Sequence, residues 1–595
     1  MRSNFFAGLN RARRTLQPLL IGAAHAFSFS DGPLPAWLLP YVQVLTLTFL
    51  ALWVWRCGTV RQAAFSGFLF GLGNFALGLY WIHISLHTYG GLHPVLSGLA
   101  VLVLAAGKAL FIALATGLTY KFCRPFLTRL AAPRAITAIA KPDATQRTEA
   151  PAAAEHIDAP SHAKQAETPA SKTESPALSA SAGFAMFLLT ATTWASLWML
   201  AEWLRGTLFT GFPWMNIGYA HADGPFSGWA SVLGVYGVAW VAAFAAGAIA
   251  LLMQAQKSPN ESPAAMTVVC AIGLVIGGLG LAQIRWWQPL GSPMLVRLVQ
   301  GNIEQSLKFD PNHLQQGIDT YLHLAGLPPK EAGANPALII LPETVMPLFQ
   351  NRIAPQTWQR WLDVANARQA TLLMGIPLHT NNGEDRYTNS VIAFNGATPL
   401  ASLQAGTAGY RYDKHHLVPF GEFIPPGFRW FVDALNIPLG DFNRGQIRQS
   451  SFNIAGQYIA PNICYEDVFG EEIIEGVRSA NGTDPGASLL VNVSNLAWFG
   501  QSWALQQHLQ IARMRALETA RPMLRATNTG MTAAIDPDGK VRAVLTPRQP
   551  GVLDVEVQGT QGITPYVRWG NTPALLLALL CLAAAALVGR KARLQ

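Results

Sequence analysis

Apolar positions fall into two regimes along the chain. Through the first half they form long, nearly unbroken runs; then they thin into short stretches, and one long run returns near the C-terminal end. A membrane crossing needs roughly 20 mostly apolar residues for a hydrocarbon layer about 30 Å thick. Such runs lie near 13–30, 35–55, 63–82, 93–120, 184–204, 228–253 and 264–284, with an eighth near 572–589. The pattern predicts a multi-pass α-helical membrane bundle of about eight spans. The first run, "LQPLLIGAAHAFSF" with His25 inside it, also has the look of a signal-peptide core. No clear small-residue cleavage site precedes the next run, so it is read as a span.

From about 294 the period changes. "MLVRLVQGNI", "ALIILPE", "ATLLMGIPL", "NSVIAFNG", "FNIAGQYIAPNIC" and "SLLVNVSN" have the β-branched content and flanking turn residues of strands. "NHLQQGIDTYLHLAG", "TWQRWLDVANARQ", "EEIIEGVRSA" and "WALQQHLQIARMRALETAR" place apolar residues three and four apart, as helices do. "AAIDPDGKVRAVL" predicts a hairpin around Asp538 and Gly539. Strands alternating with helices predict an α/β domain, and about 280 residues are enough to bury a proper core.

Composition and charge add an orientation. A chain of 595 residues that is 51% hydrophobic and 13% charged is too apolar for an ordinary soluble enzyme. Arg2, Arg11, Arg13 and Arg14 precede the first predicted span, and Arg56 and Arg61 lie between the second and third. Lys121, Arg124, Arg129 and Arg134 follow the fourth, and Arg590, Lys591 and Arg593 follow the last, whereas "HISLHTYGGLH" has no Lys or Arg. The positive-inside rule then places both termini in the cytoplasm and the α/β domain on the opposite side. Topology accounts for much of the net charge of +9, so no nucleic-acid partner is expected. The expected organisation is spans one to four in 1–125, a disordered cytoplasmic linker in 126–182, spans five to seven in 183–286, the extracytoplasmic domain in 287–570, and a last span with a basic tail in 571–595.

Three stretches of that domain hold candidate chemistry. In "ALIILPETVMP" a strand runs into Glu343 at its C-terminal end, where α/β sheets commonly place catalytic groups; a helix-capping carboxylate is the alternative. In "YRYDKHHLVPFGEFIPP" Lys414 and Glu422 bracket a segment dense in aromatic, proline and glycine residues. Most lysines are surface residues, but this is not an ordinary surface. In "PNICYED" Cys464 lies where a strand ends and a helix begins, with Glu466 and Asp467 suited to the first turn. The helix dipole favours a thiolate there and the two anions oppose it, so activation requires a cation or base brought in by the fold, such as Lys414 or Glu343. The other cysteines, Cys57, Cys123, Cys270 and Cys581, lie at span ends or within apolar runs. A disulfide framework is therefore not expected, and Cys464 is either buried and inert or used.

The order Glu343, Lys414, Cys464, in "LPET", "YDKHHLVPFGEF" and "ICYED", resembles the Glu-Lys-Cys triad of the nitrilase (carbon-nitrogen hydrolase) superfamily. "VNVSNLAWFG" and "QQHLQIARMRALETARPMLRATNTGMTAAIDPDG" continue the match. With seven spans before this domain and one after it, the chain resembles the apolipoprotein N-acyltransferases, a membrane-embedded family of that superfamily, over nearly all its length except 126–182. The resemblance implies a four-layer α-β-β-α sandwich, with Cys464 as nucleophile, Glu343 as general base and Lys414 stabilising the tetrahedral intermediate. It also implies supporting roles for Glu422, Tyr465 and Glu466, and functional aromatic positions at Trp214 in "GFPWMNIGYA" and Phe309 in "GNIEQSLKFD". Phe309 stands where relatives often carry tryptophan, and Leu496 where they are often acidic.

The implied reaction moves an acyl chain from a phospholipid, typically phosphatidylethanolamine, through a Cys464 thioester to the α-amino group of diacylglyceryl-cysteine in an apolipoprotein, completing lipoprotein maturation in the bacterial inner membrane. No metal or organic cofactor is expected, since no ligand set surrounds His415 and His416. Lipid substrates require a site that opens at the bilayer. Phe428, Trp430, Phe431 and Leu435, in 425–440, are read as a mobile arm dipping into the interface, against a segment packed on the domain's own core. Trp498, Phe499 and Trp503 line the same entrance or belong to the core. A membrane-tethered amidase would need only one span. A transporter would carry ionisable residues at mid-membrane depth, whereas Glu202 lies near a span end.

Overall fold

In lipid every backbone polar group must be satisfied internally, so the long apolar runs become helices. The computed structural model describes residues 15–131, 180–255, 261–329, 335–381, 383, 385–430, 441–478 and 484–594. Within these lie α1 (Leu39–Trp55), α2 (Val60–Gly78), α3 (Pro94–Ala131), α4 (Ala180–Thr207), α5 (Ala230–Ala255), α6 (Glu261–Leu281) and, after the α/β domain, a C-terminal helix, Thr572–Leu594. Among the described residues six helices are long and apolar enough to cross a membrane, and a seventh arises if α2 and Ile82–Tyr89 are taken together.

The expected third span is therefore not straight: its two helices meet at 56°. The Trp81 indole N–H donates back to the Gly78 carbonyl at 3.1 Å, and Met215 packs so close to Gly78 that a β-carbon there would overlap it. The expected first span is described as helix only over 15–26, its earlier part lying outside the described residues. α3 continues through Pro125 to Ala131, past the expected start of the linker, and 132–179 also lie outside them. α5 forms the middle of the bundle, where Ala239, Ala242, Ala243 and Ala246 allow close helix approach. The C-terminal helix leaves Leu576, Leu579, Leu580 and Leu587 exposed, as a lipid-facing helix does.

The α/β domain holds two sheets of six strands each. The first contains β1 (Met294–Gln300), β2 (Leu338–Ile340), β3 (Thr371–Asn381), β4 (Asp385–Phe394) and β5 (Tyr410–Asp413). The second contains β6 (Phe452–Ile454), β7 (Gln457–Ile463), β8 (Leu489–Ser494), β9 (Met523–Thr527), β10 (Ala533–Ile535) and β11 (Val541–Val544). β12 (Gly551–Val557) returns to the first sheet beside β1, giving the order β12-β1-β2-β3-β4-β5. The central pairs β1–β2, β2–β3, β7–β8 and β8–β9 are parallel.

Side-chain alternation builds the layers. Leu338, Ile340, Leu373 and Val391 face Ile459, Ile463, Val491 and Leu524 between the sheets. Ile339, Leu341, Leu372 and Met374 point the other way, onto α7 (Leu314–Gly326) and α8 (Pro355–Arg368) through Tyr321, Trp358 and Trp361. Leu490 and Met523 likewise meet α9 (Gly470–Val477) and α10 (Ala504–Thr519). The order α-β-β-α is the expected sandwich. One predicted strand divides: "FNIAGQYIAPNIC" is the hairpin β6–β7, because Ala455 (φ 51°) and Gly456 (φ 77°) form a tight left-handed turn.

The domain is packed onto the helical bundle rather than hung from it. Tyr465, Phe469, Ile511 and Met514 belong to the same apolar cluster as Phe70, Trp198, Trp214 and Val238.

Candidate active site

Glu343, Lys414 and Cys464 each follow the C-terminal end of a strand, β2, β5 and β7 respectively, and the sandwich brings these ends together. The Glu343 turn is stitched to β3: Gly375 N–H donates to the Pro342 carbonyl at 3.1 Å and Val345 N–H to the Gly375 carbonyl at 2.9 Å. A β-carbon on Gly375 would lie 2.6 Å from the Glu343 α-carbon, so only glycine allows this approach. The Glu343 carboxylate accepts from Asn389 Nδ2 at 2.8 Å and from the Asn495 backbone N–H at 2.9 Å. These contacts answer the helix-cap alternative: the buried carboxylate is bonded to a side chain of β4 and to a backbone N–H just past β8 rather than to the backbone of its own segment.

Lys414 is 1% exposed, not a surface lysine. Its ammonium lies 2.8 and 2.9 Å from the two oxygens of Glu422 and 3.7 Å from Glu343 Oε1. Burial alone would lower its pKa, but the carboxylates of Glu422 and Glu343 outweigh that and raise it, so the cation is permanent. Glu422 is held in turn by Val418 N–H at 2.8 Å and Asn389 Nδ2 at 2.6 Å, which makes Asn389 the link between both carboxylates.

Cys464 occupies a left-handed backbone conformation, φ 52°, at the first residue of a 3-10 turn, Cys464–Val468; α9 begins only at Gly470. Two donors fix its carbonyl, Asn492 Nδ2 and His508 Nε2, each at 3.1 Å. The His508 ring also reaches Asp467 at 2.8 Å, and Arg525 closes that buried cluster on Asp467 at 2.9 Å. Glu466 ties the elbow to the Lys414 loop: its carboxylate accepts from Ile463, His415 and His416 N–H at 2.7, 2.7 and 3.1 Å and from the Tyr412 hydroxyl at 2.9 Å. Burial, with the Glu343 anion second, pushes the Cys464 thiol well above its ordinary pKa, while Lys414 opposes the shift. The dipole of a five-residue turn does not overcome this, and a base is required.

Lys308 is a member of the cluster that the sequence did not reveal. It is buried at the end of the short helix Gln305–Lys308, and its ammonium donates to the Glu343 backbone carbonyl at 3.1 Å. Burial lowers its pKa to about 8 against the pull of Glu343 and Cys464. Phe309, the next residue, is half-buried.

The elbow leans on the loop that follows α4. The Tyr465 hydroxyl donates to the Gly211 carbonyl at 3.1 Å, and its ring stacks on Phe212 and Trp214 at 6.1 and 6.5 Å. Trp214, 3% exposed, also stacks on His508, so it is a wall behind the elbow rather than an open surface. Trp498 is half-buried against Tyr89, Phe499 packs on Trp81, and Trp503 packs on Phe27 and Tyr80. Leu496 is buried. Phe428 and Trp430 are 45% and 69% exposed, which disagrees with burial in the domain core, and Phe431 and Leu435 lie outside the described residues. Among the described residues no cluster of three or more His, Cys, Asp or Glu side chains could hold a metal ion.

A family profile described as "Carbon-nitrogen hydrolase" matches residues 295–564, and "Apolipoprotein N-acyltransferase N-terminal domain" matches 22–140 and 176–248. An apolipoprotein N-acyltransferase of Bordetella bronchiseptica is 47% identical over 97% of this chain and 98% of its own length. The chain belongs to the apolipoprotein N-acyltransferase family. Another apolipoprotein N-acyltransferase, from Ralstonia nicotianae, is 40% identical over 96% of this chain and 93% of its own length. Among solved structures, a CN-hydrolase superfamily protein of Xanthomonas campestris is 19% identical, covering 48% of this chain and 97% of its own, with a TM-score of 0.33. As a member of the apolipoprotein N-acyltransferase family, the chain is an acyltransferase with a nitrilase-like domain joined to membrane helices.

Proposed function

We propose that the chain transfers an acyl chain from a phospholipid, typically phosphatidylethanolamine, through a thioester on Cys464 to the α-amino group of diacylglyceryl-cysteine in apolipoproteins. The observation that carries this reading is that the Cys464 elbow, served by Glu343 and Lys414, is braced from behind by Phe212 and Trp214 of the loop that follows α4, within the membrane-helix part of the chain. Glu343 takes the thiol proton, and sulfur attacks the ester carbonyl. Lys414 and backbone N–H groups near Tyr465 hold the oxyanion, a contribution of about 3 kcal/mol per donor. The C–O bond breaks, and Glu343 returns the proton to the leaving lysophospholipid. The neutral acceptor amine then attacks the thioester, Glu343 takes its proton, and that proton restores the thiol as the amide forms. Glu422 and Glu466 hold Lys414 and the elbow; Phe309, Phe428, Trp430 and Trp498 are assigned to the lipid side, with 425–440 as the entry arm and Trp214, expected there too, as the wall behind the elbow.

In the same reading the bundle has eight spans in the inner membrane, with 1–125, 183–286 and 571–595 as its membrane parts, 126–182 as a cytoplasmic linker, both termini cytoplasmic and 287–570 periplasmic. The test is intact mass after exposure to phospholipid alone. The expected result is one hydroxylamine-labile acyl group on Cys464, absent from folded Cys464→Ala and Cys464→Ser variants. An active, well-folded Cys464→Ala enzyme would remove the mechanism.

A further inference from the structure

Lys108 stands within α3, about 21 Å along the helix from Pro94 and about 20 Å from Lys121 at 1.5 Å per residue. Val103, Leu110 and Leu114 of the same helix are exposed, as lipid-facing side chains are. An ammonium on a membrane-spanning helix requires an anion or a polar cavity. It lies 5.0 Å from the centre of the Phe212 ring, and Phe212 stacks on Tyr465, the residue after Cys464. Its positive neighbour, Arg205, is close enough to repel it. Arg205 is itself committed to Glu202 and to the carbonyls of Phe212 and Trp214. Glu202 is thus taken up by Arg205, and among the described residues no carboxylate lies within 4.0 Å of Lys108. The aromatic contact replaces only part of an ammonium's hydration. A corner of the bundle that opens toward lipid and backs onto the nucleophile therefore carries one uncompensated positive charge.

We propose that Lys108 binds the phosphodiester of the phospholipid donor, seating that anionic group beside Phe212 while the glycerol esters reach toward Cys464. The inference rests on the acyl-transfer reading above. It assigns Lys108 to donor recognition, through a point charge on a phosphate oxygen, and leaves the covalent steps to Glu343, Lys414 and Cys464.

The experiment measures the rate of acyl-adduct formation on Cys464 by intact mass in full-length protein. It compares phosphatidylethanolamine with an uncharged diacylglycerol of the same acyl chains. Lys108→Met is expected to raise the half-saturating phospholipid concentration by about tenfold or more, to leave the maximal rate within about threefold, and to leave diacylglycerol unaffected. Lys108→Arg retains the phospholipid preference. Lys108→Gln guards against a folding defect in Lys108→Met and must show the same split between donors. Unchanged phospholipid saturation in Lys108→Met, or equal weakening toward both donors, overturns the inference while the acyl-transfer reading stands. Competition by millimolar inorganic phosphate would mark a free-anion site and overturn the lipid assignment. Absence of an adduct on the wild-type protein with every donor would overturn the acyl-transfer reading and this inference with it.

Discussion

Cys464 is held as a resting thiol by its own surroundings, so the reaction begins only when Glu343 accepts its proton. Lys308 bears on that step, since it grips the Glu343 backbone and senses both Glu343 and Cys464. Its pKa is lowered to about 8, so it is charged below that pH and loses its charge above it, just where a positive charge would favour the thiolate. The rate of acyl-enzyme formation is therefore expected to fall on the alkaline side of about pH 8 in the wild type. Lys308→Met should be slower below about pH 8, by about 10- to 100-fold, should lack that limb, and should approach the wild-type rate above it. Single-turnover rates between neutral and alkaline pH check both statements. The three residues at the strand ends were legible because each sits in a distinctive local motif. Lys308 and Asn389 were not, because a lysine in "SLKFD" and an asparagine opening a strand look like surface residues until the fold surrounds them.

At the scale of elements, the position of Glu343 depends on how closely β3 approaches the turn after β2. Gly375→Ala would drive a methyl group against the Glu343 backbone, an overpacking that costs about 1–3 kcal/mol. The expected outcome is a modestly lowered thermal midpoint with a disproportionate loss of turnover, up to about a hundredfold, because the carboxylate is displaced. Comparing melting with turnover in this variant separates misplacement from unfolding. Most strands and helices were readable from their periods, since burial on one face imposes a repeat of two or of three to four. The β6–β7 turn was not, because Ala-Gly within an apolar run reads as a continuous strand. Nor was the bend after α2, whose cause lies far away in the sequence.

That cause belongs to the whole molecule. Gln507, on α10, accepts from the indoles of Trp81 and Trp214 at 3.1 and 2.8 Å and donates to the Gly78 carbonyl at 3.1 Å, at the break between the two helices. Gln507→Leu would leave the buried Trp214 N–H without its acceptor, a cost of about 1–3 kcal/mol. Thermal unfolding should shift down, and limited proteolysis should cut the α/β domain and the α2 region in step, because they form one packed unit. Independent cleavage of the two would contradict that unity. The same contact bears on biosynthesis. Chains are made from the N-terminus onward, so Gly78 and Trp81 enter the bilayer 429 and 426 residues before the ribosome reaches Gln507. The bent helix pair is thus made early and finished late, by a helix that must first fold within a different domain. Newly made chains halted between those two events leave that bend without the acceptor and donor that Gln507 supplies.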